Sequence, residues 1–76
     1  METPQTIVDV QGLKCPMPML RTKKALAKLE SGQVIQVLAT DPHAVPDLQQ
    51  FCKQTGHKML DTQKTEDIFV IQIQKK

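Results

Sequence analysis

The apolar positions of the chain follow two different periods, and the change from one to the other divides the sequence into six segments. Short runs rich in β-branched residues, with apolar positions at every second residue, predict strands. Longer runs with apolar positions three or four residues apart predict helices. The predicted strands are Thr6–Val10, Gln33–Thr40, Lys58–Gln63 and Ile68–Gln74.

The first predicted helix runs from Pro16 to Leu29 and ends at Ser31-Gly32, because glycine favours the left-handed conformation that closes a helix. One side of this helix is apolar, and a second side carries positive charge. The apolar side comprises Met19, Thr22, Ala25, Leu26 and Leu29.

The second predicted helix follows the pair Asp41-Pro42, which closes a strand and is expected to cap the helix. Pro46 would interrupt a helix that began at Pro42, so we expect a short turn at Pro42–Val45 and a regular helix from near Pro46 to Gly56. Asp47 is then an acid in the first turn, where it complements the helix dipole. The expected core positions are Val45, Leu48, Phe51, Cys52 and Thr55.

The resulting order is strand, helix, strand, helix, strand, strand, with a hairpin at Lys64–Asp67. Right-handed connections place both helices on one face of the sheet. The sequence therefore predicts an α+β two-layer sandwich with a mixed four-stranded sheet and two helices on one face. At 76 residues, we expect one domain over positions 1–76.

Composition excludes several classes of function. Ten basic and eight acidic residues give a net charge of +2, too little to indicate direct nucleic-acid binding. No apolar run is long enough to cross a membrane, and no basic start precedes an apolar core as in a signal peptide. We expect a cytoplasmic protein with no membrane partner.

The chain contains only two cysteines, Cys15 and Cys52, and they do not form a Cys-x-x-Cys pair. Reduced thiols are therefore expected rather than a disulfide framework. His43 and His57 complete four potential zinc ligands, but the close ligand pairs of zinc sites are missing. We expect neither a metal nor a cofactor.

The segment Gly12–Pro18, with the sequence GLKCPMP, joins the first strand to the first helix. Gly12 lies where the chain turns, and its permissive φ suits that turn. Proline is tolerated in the first turn of a helix, so we expect Pro16 and Pro18 at the first and third helical positions and Cys15 as the cap. The helix dipole there favours the thiolate by about tenfold at most. The alternative is a buried, inert cysteine before a proline-marked helix start.

Positive charge lies close to this segment in the sequence. Lys14 precedes Cys15, and the polar side of the first helix carries Arg21, Lys24 and Lys28, joined by Lys23. Such a side is commonly only solvated, but it is also a candidate docking surface for an acidic partner. Met17, between the prolines, is a candidate apolar contact for the same partner.

The GLKCPMP segment resembles the signature of the TusA/SirA family of small sulfur-carrier proteins, in which a Cys-Pro-x-Pro sequence opens the first helix. The pair Asp41-Pro42, followed by Asp47, Phe51 and Thr55-Gly56-His57, is also similar to that family. The resemblance covers nearly the whole chain, and it implies the same two-layer fold. It also implies that Gly12, Pro16 and Pro18 support the site.

The resemblance further implies a sulfurtransferase that carries sulfane sulfur as a persulfide on Cys15. No general base, Ser-His-Asp pattern or glycine-rich phosphate loop accompanies this cysteine, so partner proteins are expected to supply the remaining chemistry. The implied donor is a cysteine desulfurase or a rhodanese. The implied acceptor is a relay protein of tRNA 2-thiouridine synthesis or a component of oxidative sulfur metabolism.

Two other functions agree with the same residues. One is a non-catalytic regulatory or RNA- or protein-binding module that uses the basic side of the helix, with Cys15 only as a helix cap. The other is a thiol redox protein in which Cys15 and Cys52 form a reversible disulfide. The position of Cys52 among the apolar residues of the second helix favours a core role instead.

Overall fold

The computed structural model describes residues 6–14 and 16–76. It contains the predicted elements in the predicted order, and together they form a mixed sheet with two helices. The predicted α+β architecture is confirmed. The elements are β1 (Thr6–Val10), α1 (Met17–Ala27), β2 (Val34–Ala39), α2 (Ala44–Thr55), β3 (Lys58–Thr65) and β4 (Ile68–Gln74).

The four strands lie in the order β1-β2-β4-β3. β1 and β2 are parallel, which requires a crossover connection, and α1 provides it. β4 pairs antiparallel with both β2 and β3. The two edges of the sheet are therefore β1 and β3, and the connection from β1 to α1 leaves the sheet at the carboxyl end of an edge strand.

The core lies between one face of the sheet and the two helices. Ile35, Val37 and Ala39 of β2 are fully buried, and so are Ile71 and Ile73 of β4. The intervening residues are only half-buried, as a strand with one covered face requires. From the helices, the buried apolar side chains are Pro18, Leu26, Ala44, Leu48 and Cys52.

α2 begins at Ala44, so the prediction of a start near Pro46 is wrong. Pro46 is the third residue of the helix. The N–H groups of the first turn have no helical acceptor, so proline is tolerated there. Gly56 ends the helix as predicted, with a φ of 90°, and its N–H donates to the Cys52 carbonyl at 2.8 Å.

α1 ends at Ala27, two residues before the predicted end. The N–H groups of Lys28 and Leu29 donate to the carbonyls three residues earlier, as in a 3₁₀-helix, and the α-helical pattern ends there. Lys75 Nζ donates to the Leu26 carbonyl at 2.8 Å, so a lysine ammonium group provides a hydrogen bond to a carbonyl in the last turn of α1. β3 extends to Thr65, two residues beyond its prediction.

No helix formed by the described residues is long and apolar enough to cross a membrane.

Candidate functional site

The connection from β1 to α1 begins with a turn at Gln11 and Gly12. The Gln11 N–H donates to the Asp9 carboxylate at 3.1 Å, and the Leu13 N–H donates to the Val10 carbonyl at 3.2 Å. Gly12 has a φ of 79°, which glycine adopts without steric cost. A Cβ at this position would meet no heavy atom within 4 Å, so the turn itself accounts for glycine.

A hydrogen bond ties this turn to the end of β2, because the Gly12 N–H donates to Thr40 Oγ1 at 2.8 Å. Residues 12–14 and 40–43 then enclose a cleft of about 420 Å³. Lys14 lies on one wall and His43 on the other. Thr40 was not among the predicted site residues, since its sequence position gives no sign of a bond to Gly12.

The second wall of the cleft is ordered by Asp41. Its Oδ1 accepts the His43 N–H at 3.0 Å and lies 3.2 Å from His43 Nδ1. The side chain of Asp41 is only 10% exposed and that of His43 is 78% exposed. The prediction that Asp41-Pro42 caps α2 is wrong, because His43 is the N-cap residue. The Asp-x-His spacing, typical of a side-chain turn, was the signal for this arrangement.

α1 begins at Met17 with Pro16 as its N-cap residue and Pro18 as its second residue. The expectation that Cys15 caps the helix is therefore wrong. The first helical hydrogen bond runs from the Leu20 N–H to the Pro16 carbonyl at 3.0 Å, whereas the Met17 N–H donates to the Lys14 carbonyl at 2.8 Å. The prolines carry no N–H. Few backbone N–H groups at the start of α1 are therefore free to bind an anion.

Cys15 itself lies outside the described residues. Its covalent neighbours Lys14 and Pro16 are both exposed to solvent, and Met17 is 39% exposed. Pro18, the second residue of α1, is buried. The described residues on either side of Cys15 are therefore exposed, whereas Pro18 is buried.

The predicted basic side of α1 is exposed, with Arg21, Lys24 and Lys28 on one wall of a groove whose other wall is β1. Lys23 is exposed on the same helix but does not line the groove. Of the four cations on the helix, Arg21, Lys24 and Lys28 therefore line the groove and Lys23 does not. These cations begin close to the GLKCPMP segment, because Arg21 is about one helical turn beyond Met17.

Cys52 is 4% exposed, as a core side chain, and burial raises the pKa of its thiol. Its position among the buried residues of the core favours a structural role for Cys52.

His57 is held near the C-terminus by the Lys76 N–H, which donates to its Nδ1 at 2.9 Å. Burial, together with the charges of Lys75 and Lys76, lowers the pKa of His57. Within residues 6–14 and 16–76, no three His, Cys, Asp or Glu side chains are grouped so that they could hold a metal ion.

Comparison with known proteins gives a consistent result. The family model described as Sulfurtransferase TusA matches residues 6–75. A putative sulfur carrier protein of Neisseria meningitidis is 51% identical over 69 residues, which cover 91% of this chain and 93% of that protein. The sulfur carrier protein TusA of Allochromatium vinosum is 44% identical over 68 residues, which cover 90% of each chain.

The fold is also similar to a solved structure. The SirA-like protein of Desulfitobacterium hafniense superposes with a TM-score of 0.83 at 30% identity. The superposition covers 92% of this chain and 96% of the other. Sequence and structure comparisons therefore agree over nearly the whole length.

Proposed function

Because the chain belongs to the TusA family of sulfurtransferases, we propose that it carries sulfane sulfur as a persulfide on Cys15 and passes it between partner proteins. A sulfur-carrier role is common to its relatives. The observation that supports the finer proposal is the GLKCPMP segment, in which the Gly12 N–H donates to Thr40 and the neighbours of Cys15, Lys14 and Pro16, are exposed.

The proposed reaction is two thiol exchanges with no net oxidation. In loading, the Cys15 thiolate attacks the terminal sulfur of a donor persulfide, the donor's sulfur–sulfur bond breaks, and the donor thiolate leaves. In unloading, an acceptor thiolate attacks the terminal sulfur on Cys15, and the Cys15 thiolate leaves. Both steps need the terminal sulfur to be reachable by another protein, which the exposure of Lys14 and Pro16 supports.

The donor is a cysteine desulfurase or a rhodanese, and the acceptor is a sulfur-relay protein or a component of sulfur metabolism. Lys14, Met17, Arg21, Lys24 and Lys28 form the proposed docking surface, which is exposed and positively charged. An acidic partner surface is complementary to it. Charge reversal at Lys24 is expected to slow loading from the enzyme donor more than charge reversal at Lys53, a matched exposed lysine on α2.

The test is intact-protein mass spectrometry after incubation with a cysteine desulfurase and cysteine, and separately with polysulfide. Wild type, Cys15→Ser and Cys52→Ala are compared. We expect a reductant-sensitive gain of one sulfur atom in wild type and in Cys52→Ala, and none in Cys15→Ser. Equal loading of Cys15→Ser and wild type would overturn the proposal.

Polysulfide separates chemistry from docking, because it needs no protein surface. A Lys24→Glu protein that loads normally from polysulfide but slowly from the desulfurase would support the proposed docking surface. Failure to load wild type from either donor would instead favour the non-catalytic binding module.

A further inference from the structure

The two edges of the sheet differ in how they are protected. β3 carries charged residues along its length and has an irregular register between Met59 and Asp61, and both features discourage pairing with another chain. β1 is less protected in the described chain. All five of its residues pair in register with β2, and Asp9 is its one charged residue. Its outer edge is the one suited to strand addition.

A groove of about 730 Å³ runs along that edge. Residues 6–9 of β1 form one wall, and Arg21, Lys24 and Lys28 of α1 lie on the other. All three cations are exposed. The groove therefore combines strand backbone on one side with a row of positive charge on the other.

We propose that the outer edge of β1 takes an extended, acidic segment of a partner protein as an additional strand. The main-chain hydrogen bonds of the pairing supply affinity, and alternate side chains supply specificity. The three cations select carboxylates on the side that faces α1. This proposal does not depend on sulfur transfer, because it uses no atom of Cys15.

The two faces of β1 specify the sequence of the bound segment. Val8 faces the core on the side of the sheet that α1 covers. Residues of the added strand whose side chains point to this side meet the three cations, so we expect them to be acidic. Ile7 faces the opposite side and is 61% exposed, so its neighbour is apolar. Asp9 shares the face of Ile7 and disfavours an acidic neighbour there. The segment thus alternates acidic and apolar residues.

Charge also decides against a second copy of the chain as the occupant. Edge-to-edge pairing of two β1 strands would bring two copies of the same three cations together, which is repulsive. Single-stranded nucleic acid matches the charge, but its backbone cannot form the ladder of amide hydrogen bonds that a strand edge offers. An acidic polypeptide satisfies both requirements.

The experiment uses the full-length Cys15→Ser protein labelled with ¹⁵N, so its outcome is independent of persulfide chemistry. The probe is a capped peptide of about seven alternating Glu and Val residues, which is long enough to span β1. We expect shifted and exchange-protected amides in residues 6–9. Lys24→Glu should raise the dissociation constant about tenfold, because it loses an attraction and adds a repulsion.

Three controls make the result decisive. Lys23→Glu changes the same charge on the same helix outside the groove, and should raise the dissociation constant by less than about threefold. Peptides methylated on the amides of either the Glu or the Val residues test the ladder, and one of the two should lose binding. A single-stranded oligonucleotide of equal charge should bind more weakly than the peptide.

Several results would overturn the proposal. These are equal binding by both methylated peptides and the parent peptide, equal effects of Lys23→Glu and Lys24→Glu, or peptide-induced shifts confined to other elements. Binding of the oligonucleotide at least as tightly as the peptide would identify the groove as a polyanion site instead. Absence of binding by the peptide would also reject strand addition.

Discussion

Replacement of Thr22 by valine should stabilise the protein. Thr22 is fully buried in α1, and its Oγ1 has no hydrogen-bond partner among the described residues. A buried hydroxyl without a partner costs about 1–3 kcal/mol, because it gave up its hydrogen bonds to water. Valine keeps the same branched shape and has a similar helix propensity, so it removes this cost without opening a cavity.

We expect Thr22→Val to raise the free energy of unfolding by about 1 kcal/mol, the lower end of that range. For a domain of this size, each 1 kcal/mol raises Tm by about 4–8 °C. Urea unfolding followed by far-ultraviolet circular dichroism measures the first quantity, and a thermal scan measures the second. Loading of Cys15 should be unchanged, since Thr22 faces the core rather than the groove.

Thr55→Val is the matched control, because the exposed Thr55 hydroxyl donates to the Phe51 carbonyl at 2.7 Å. That substitution removes a satisfied group at the surface, so its effect should stay within about 0.5 kcal/mol. If Thr22→Val proved neutral or destabilising, its hydroxyl would have a hydrogen bond in solution and the reasoning would fail.

Three further predictions concern the surroundings of the site and the core. Thr40→Val should increase hydrogen exchange at the Gly12 amide by about fivefold, which corresponds to the loss of a hydrogen bond of about 1 kcal/mol. It should also slow sulfur loading from the desulfurase. Unchanged exchange would show that the bond is not formed. Cys52→Ser should lower the free energy of unfolding, measured in urea, by about 1–3 kcal/mol and by more than Cys52→Ala, because a buried hydroxyl replaces a weakly polar thiol. Equal losses would contradict the expectation that the serine hydroxyl is buried without a hydrogen-bond partner. Burial and neighbouring lysines lower the pKa of His57, so the unfolded chain binds a proton more readily. Stability should therefore fall as pH decreases from the ordinary value of 6.5 towards the folded pKa, and His57→Gln should flatten this dependence in urea titrations at several pH values.

The sequence was sufficient for the elements whose signal is local. Alternation at Ile35, Val37 and Ala39 identified the covered face of β2, because successive side chains of a strand point to opposite faces. Gly56 marked the end of α2 through its left-handed conformation. The exposed cations of α1 were likewise visible in the helical period.

The starts of both helices were less accessible to sequence reasoning. Proline is tolerated at every position of the first turn, so Pro18 and Pro46 were compatible with several starts. The structure places Pro18 second in α1 and Pro46 third in α2. Hydrogen bonding in the folded chain selected among these starts, and it moved the cap of α1 from the predicted Cys15 to Pro16.

By itself, the sequence determined the order of elements, the apolar face of β2, the basic side of α1 and the segment that identifies the family. Only the tertiary structure decided which strands became edges, that Thr40 holds the turn at Gly12, and that Lys75 closes the end of α1. The physical reason is the range of the interactions. Periodicity and turn preferences act over a few residues, whereas strand order and these two hydrogen bonds join parts of the chain that only folding brings together.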